Sequence, residues 1–187
     1  MEKLILASQS PRRRDLLAQA RIPFETVAPD VPEDTVLTRP SAIVKELALR
    51  KALAIAGRYP GRTVLGADTI VYCKGRILGK PADEADALEL LRLENDSWQT
   101  VYTGVALVLK NQNVKLCGYE ISRCRARRLT EPQLRELAAK HLDKAGGYAV
   151  QDNDDTLIKK IVGPFDNVVG LPVGLVREML HKAGLVA

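Results

Sequence analysis

The apolar positions of this chain come in short blocks whose spacing switches repeatedly between strand and helix periods. Leu4-Ile5-Leu6-Ala7 is a continuous apolar run and predicts a short buried strand. Ser8-Gln9-Ser10-Pro11 follows as a turn into a helix from Pro11 to about Ala20, with Ser10 as N-cap and Pro11 at the favoured first position. Phe24 to Ala28 predicts a second strand, and Pro29 to Pro40 a loop rich in proline and acid. Ser41 is expected to cap a long helix ending near Gly57. Thr63 to Tyr72 is strand-like, Lys74-Gly75 reads as a hairpin turn, and Ala82 to Leu93 as a helix. Trp98 to Leu109 and Val114 to Leu129 predict two long strands around Lys110 to Asn113. Thr130 opens a helix ending near His141, Thr156 to Val162 predicts a further strand, and Pro172 to Ala183 a closing helix. Adjacent strands joined by short turns require antiparallel pairing, and strands separated by helices suit parallel pairing. The expected architecture is α/β, with a mixed parallel/antiparallel sheet flanked by helices. No linker divides 1–187, so a single domain is expected, with room for two lobes.

Composition narrows the picture. The 187 residues are 46% hydrophobic, enough for a sizeable core without disulfides or a structural metal. Twenty-eight Lys and Arg against 23 Asp and Glu leave a net charge of +5, which favours an anionic partner without choosing among nucleotides, nucleic acid and acidic membranes. Cys73, Cys117 and Cys124 form no CxxC pair, and His141 and His181 lie far from them, which argues against a disulfide framework and a zinc site. No apolar run approaches the roughly 18 residues of a membrane span. The opening apolar run is too short for a signal peptide and soon meets Arg12-Arg13-Arg14. A cytoplasmic protein with no membrane partner is expected.

Candidate chemistry gathers at a few positions. Ser8, Ser10, Arg12 and Arg13 lie at the start of the first helix, where free N–H groups and the positive end of the helix dipole favour an anion. Cations disfavour that helix end, so consecutive arginines there suit a phosphate that offsets them; an ordinary N-cap followed by solvated arginines is the other reading. In the second long helix, Ile43, Val44, Leu47, Ala48, Ala54 and Ile55 form one apolar arc with Lys51 near its middle, while Lys45, Glu46 and Arg50 fall outside it as surface residues. A lysine so placed either snorkels to solvent or points its charge into a cleft. Asp68 sits within the apolar run Val64 to Val71, on one strand face with Gly66 and Ile70, and Thr69 faces the other way. A carboxylate buried there needs cations, donors or a metal, with a structural bond to a neighbouring turn as the other reading, and Gly66 leaves room for a ligand or a backbone to approach. Lys80, after the hairpin, supplies another ammonium, and Glu33 lies in an acidic loop able to hold a divalent cation. Gln151 carries both the donor and the acceptor that reading a base edge requires. Arg123, Arg125 and Arg127 alternate along a strand and read as a solvated face. A nucleic-acid patch is the other reading of that strand, and the shortage of nearby aromatics weakens it.

Taken in order, LASQSPRR, LRKA around Lys51, LGADTIV around Asp68, LGKP at Lys80, VYTGVAL, LDKAGGYAVQ ending at Gln151, and NVVGLP resemble the Maf family of nucleotide pyrophosphatases nearly end to end. The resemblance implies an elongated fold with a central cleft, similar to the inosine triphosphate pyrophosphatases, and often a homodimer. It implies hydrolysis of a nucleoside triphosphate to the monophosphate and pyrophosphate with Mg²⁺ or Mn²⁺, serving nucleotide-pool cleaning or the arrest of cell division. Asp68 would be the base, and Ser8, Ser10, Arg12, Arg13, Lys51 and Lys80 would hold the phosphates. Glu33 would join Asp68 on the metal. Arg12, Thr69 and Gln151 resemble the subfamily acting on dTTP and UTP, where the sister subfamily acting on 7-methyl-GTP has Trp, Gln and Glu. An ordinary aspartate is a weak base at neutral pH, so the cation is expected to share the work. No stable nucleic-acid partner is expected. Glu94-Asn95-Asp96-Ser97 and Gly163-Pro164-Phe165-Asp166 depart from the family pattern, both outside the phosphate motifs.

Overall fold

The computed structural model describes residues 2–140, 146 and 157–185. Among them are seven strands: β1 (Leu4–Ala7), β2 (Phe24–Thr26), β3 (Val64–Cys73), β4 (Arg76–Leu78), β5 (Trp98–Leu109), β6 (Val114–Ala126) and β7 (Ile158–Val162). Six α-helices accompany them: α1 (Pro11–Gln19), α2 (Pro40–Arg58), α3 (Glu84–Glu94), α4 (Glu131–Ala138), α5 (Phe165–Val169) and α6 (Val173–Lys182). The strands form one sheet in the order β2-β1-β3-β5-β6-β7, with β4 paired on β3. β1 runs parallel to both β2 and β3, placing Leu6 opposite Thr26 and Leu65. The β3–β4 and β6–β7 pairs are antiparallel. The mixed sheet expected from the spacing is therefore present. Lys74 and Gly75 both have positive φ, +46° and +83°, the two-residue turn whose twist suits a hairpin.

The chain groups into two compact units. The first comprises Met1–Asp68, Thr103–Glu120 and Gly170–Ala187, and the second Thr69–Tyr102 and Ile121–Val169. In the first unit the sheet has a core on each face. Leu4, Leu6, Leu65, Ala67, Val105 and Leu107 pack with Leu17 of α1 and Val176, Met179 and Leu180 of α6. Ile5, Ala7, Val64, Ala106 and Val108 pack instead on Ala48, Ala52, Ile55 and Ala56 of α2. Two glycines bring α2 onto the sheet. A Cβ at Gly66 would stand 2.2 Å from the carbonyl oxygen of Ala48, and one at Gly104 would stand 2.2 Å from that of Val44. The room at Gly66 is thus filled by the helix backbone.

The second unit has its own core, in which Val71, Cys73 and Leu78 meet Leu88 and Leu91 of α3 and Leu134 and Leu137 of α4. Asp83 caps α3 by accepting from the Asp86 N–H at 2.8 Å, and the Gln133 side chain accepts from the Thr130 N–H at the start of α4. The Glu94–Ser97 departure is a well-bonded corner. Asn95 accepts from Leu129 N–H at 2.8 Å and donates to its carbonyl at 3.0 Å, Ser97 Oγ donates to the Glu94 carbonyl, and Asp96 takes a φ of +49°.

Three local expectations are corrected. The N-cap of α2 is Arg39, with Ser41 inside the first turn, because Pro40 takes the early helical position that suits a residue without an N–H. Ser10 stands at the N-cap of α1, but its side chain makes no capping bond; Ser8 Oγ accepts from the Ser10 N–H at 3.2 Å instead. Helix α5 lies between β7 and α6, where the spacing predicts no element, and Asn167 is buried there, donating to Val101 O and Ser122 Oγ.

Candidate active site

The close approach of α2 to β3 sets two polar side chains against each other inside an apolar layer. Lys51 lies in the buried stripe of α2 between Ala48 and Ala52, and Asp68 lies two residues beyond Gly66 on the same strand face. Both are buried, and Lys51 Nζ donates to Asp68 Oδ1 at 2.6 Å. The lysine therefore neither snorkels nor stands alone. Its ammonium also lies 2.6 Å from Glu33 Oε1, a carboxylate more than half exposed on the loop between β2 and α2. One buried ammonium thus joins a buried carboxylate to an open one.

The start of α1 contributes a second cation. Arg13 donates through Nε to the Gly170 carbonyl at 2.8 Å and through Nη1 to Ser8 Oγ at 3.2 Å. Burial pushes the Arg13 guanidinium below its ordinary value and Arg12 pushes the same way, while Asp68 and Glu33 pull it back up. The group stays charged, as arginine does in proteins. The first turn of α1 contains no acidic residue to balance Arg12, Arg13 and Arg14. A helix start already rich in N–H groups therefore adds three guanidiniums and no carboxylate of its own, the arrangement that favours a bound phosphate.

The first unit thus brings together Ser8, Arg13, Glu33, Lys51 and Asp68, with Ser10 and Arg12 at the same helix start. Thr69 follows Asp68 on β3, half-buried and alternating to the opposite face, and Lys80 is an exposed residue after β4; both belong to the second unit. Gln151 and the rest of the LDKAGGYAVQ motif lie outside the described residues, Gly146 excepted. Arg123 and Arg127 are exposed and Arg125 is half-buried; Arg125 is paired with Asp96 at 2.6 Å, and Arg123 stacks 4.8 Å from the centre of the Trp98 ring. One aromatic therefore does accompany that strand. Arg50 and Glu46, read from spacing as surface residues, bond to the loop that carries Glu33.

The arrangement suits polyphosphate chemistry: cations and N–H groups for phosphate oxygens, and a fixed carboxylate beside them. It also fits a hard divalent cation. Two carboxylates converge on one ammonium, and among the described residues no group of three or more His, Cys, Asp or Glu could hold a metal by itself.

A model of the family described as Maf-like protein matches residues 3–183. The chain belongs to the Maf family. A dTTP/UTP pyrophosphatase of Elusimicrobium minutum is 51% identical over 182 residues, 97% of this chain and 99% of that protein. Those of Bacillus mycoides and Symbiobacterium thermophilum are each 46% identical and cover 96% and 98% of this Maf chain, and 95% of their own lengths. Among solved structures, a HAM1 protein from Coxiella burnetii aligns with a TM-score of 0.49 and 21% identity, covering 69% of this chain and 75% of that one. The Ham1 protein of Staphylococcus aureus aligns at 0.45 and 13%, over 67% and 72%. Among the described residues, no helix of this Maf protein is long and apolar enough to cross a membrane.

Proposed function

We propose that this Maf protein hydrolyses dTTP and UTP to the monophosphate and pyrophosphate, by attack of water at the α-phosphorus. One observation carries the reading: the buried Lys51–Asp68 pair, flanked by Glu33 and Arg13, in a chain about half identical to full-length proteins named dTTP/UTP pyrophosphatase. Asp68, held in place by the Lys51 ammonium, orients the attacking water and accepts its proton. Arg13 and Ser8, linked to each other, bind the phosphates together with Ser10, Arg12 and the N–H groups of α1. Lys51 and Lys80 balance the charge that builds on the leaving pyrophosphate. A divalent cation held by Glu33 and Asp68 would supply further charge neutralisation and bring the water's pKa nearer to neutral. Arg12, Thr69 and Gln151 address the base. The working form is proposed to be a homodimer, tested by sedimentation of the purified protein, and its place the cytoplasm.

The experiment is a panel of ordinary and 7-methylated nucleoside triphosphates with Mg²⁺ or Mn²⁺, scored for pyrophosphate release. The native protein is expected to turn over dTTP and UTP first. The combined Arg12→Trp, Thr69→Gln, Gln151→Glu variant is expected to move kcat/KM by tenfold or more toward 7-methyl-GTP, since a mismatched polar contact costs about 1–3 kcal/mol. An unchanged profile removes these three residues from base selection.

A further inference from the structure

Glu33 is exposed on a segment without helix or strand, yet its carboxylate stands at hydrogen-bond distance from a buried lysine. An unrestrained loop of this kind samples many conformations, so something must hold it there. The residue before Lys51 does so. Arg50 Nη1 donates to the Pro32 carbonyl at 2.6 Å and to the Asp34 carbonyl at 2.9 Å, the two residues that bracket Glu33. Its other terminal nitrogen pairs with Glu46 one turn back on α2. Glu46 also accepts from Thr35 Oγ, which in turn accepts from the Leu37 N–H at 3.2 Å. These two partners hold the Glu46 carboxyl below the usual carboxylate range, so it is ionised and bonded at neutral pH. Pro32, Asp34 and Thr35 are thus tied to one face of α2, the first two by Arg50 and the third by Glu46, and Lys51, next along the helix, receives the carboxylate that Arg50 presents.

We propose that Arg50 is a positioning residue: by gripping the carbonyls on either side of Glu33, it fixes that carboxylate beside Lys51 and Asp68 and so sets how readily the site accepts a divalent cation with its nucleotide. The inference rests on the reading of the site given above. The planar fork of arginine matters, because its two terminal nitrogens reach the loop carbonyls and the Glu46 carboxylate separately, whereas lysine presents all its donors from a single nitrogen.

The test uses the full-length protein and two readouts. Amide hydrogen exchange over residues 30–37 is measured without nucleotide, and the half-saturating Mg²⁺ concentration and kcat are measured at saturating dTTP. Arg50→Gln is expected to speed loop exchange and to raise half-saturating Mg²⁺ about tenfold, the loss expected for two hydrogen bonds, with kcat at saturation nearly unchanged. Arg50→Lys is expected to recover part of both effects. Glu33→Gln should reproduce the Mg²⁺ defect, and the double variant should be no worse than Glu33→Gln alone, since two residues acting through one contact are not additive. A folded Arg50→Gln protein with native loop exchange, or fully additive Mg²⁺ effects in the double variant, would overturn the proposal. Asp68→Asn in the same assay separates the two levels: if it keeps its turnover, the reading of the site falls, and loop exchange alone then decides whether Arg50 is the clamp.

Discussion

Lys51 and Asp68 satisfy each other in a place where neither side chain would be tolerated alone. A buried ion pair contributes little net stability, because desolvation offsets its attraction, so stability does not account for this one. Asp68→Asn is the sharpest substitution at this scale, since it keeps the shape and one oxygen acceptor for Lys51 while removing the proton acceptor. It withdraws the buried negative charge from the Lys51 ammonium, so a lower unfolding midpoint in urea is expected, together with a loss of about 10²–10⁴-fold in kcat in the folded protein, the usual contribution of a positioned base. Native turnover by a folded Asp68→Asn protein would remove Asp68 from the reaction. Much of this site was legible in the sequence: a lysine in an apolar stripe and an aspartate in an apolar strand stand out because each violates the pattern around it. Arg50 did not stand out, because an arginine on the polar side of a helix obeys the pattern. Its partners are loop carbonyls, which leave no trace in side-chain spacing. The sequence offers both Ser8 and Ser10 to phosphate and makes Ser10 the N-cap, and only the folded turn shows that Ser8 receives both the Ser10 N–H and Arg13.

Helix α2 is the element on which the site depends, and two glycines on the sheet determine how close it lies. Gly66→Ala would drive a methyl group into the Ala48 carbonyl, a backbone atom that cannot move without the helix. The expected result is a loss of roughly 1–3 kcal/mol or more in urea unfolding, the cost of overpacking. A fall in kcat is expected with it, because Lys51 is carried off Asp68. Alanine at the exposed Gly57, where an added Cβ meets nothing within 4 Å, is the matched control. Stability and turnover both unchanged in Gly66→Ala would mean that the contact between α2 and β3 does not set the site. Elements long enough to show a period were found from spacing, as α2, β3, β5 and β6 show. The five residues of α5 are too few to display one, and the start of α2 was displaced because serine and proline compete for the same turn and proline's fixed φ prevails.

At the scale of the whole molecule, the net charge of +5 correctly suggested an anionic partner but not where it binds. Part of the excess lies on β6, where Arg125 is taken up by Asp96 and Arg123 by Trp98. The cations assigned to phosphate lie elsewhere, Arg12 and Arg13 at the start of α1 and Lys51 within α2. The backbone groups into two units, each with a core of its own, and Ser8, Arg13, Glu33, Lys51 and Asp68 all belong to the first. The central claim is that these residues direct water to the α-phosphorus of a pyrimidine nucleoside triphosphate. Hydrolysis of dTTP in ¹⁸O-enriched water, followed by ³¹P NMR or mass spectrometry of the products, tests it most directly. The account predicts label in thymidine monophosphate and none in pyrophosphate. Label in pyrophosphate, or release of orthophosphate in its place, would contradict it.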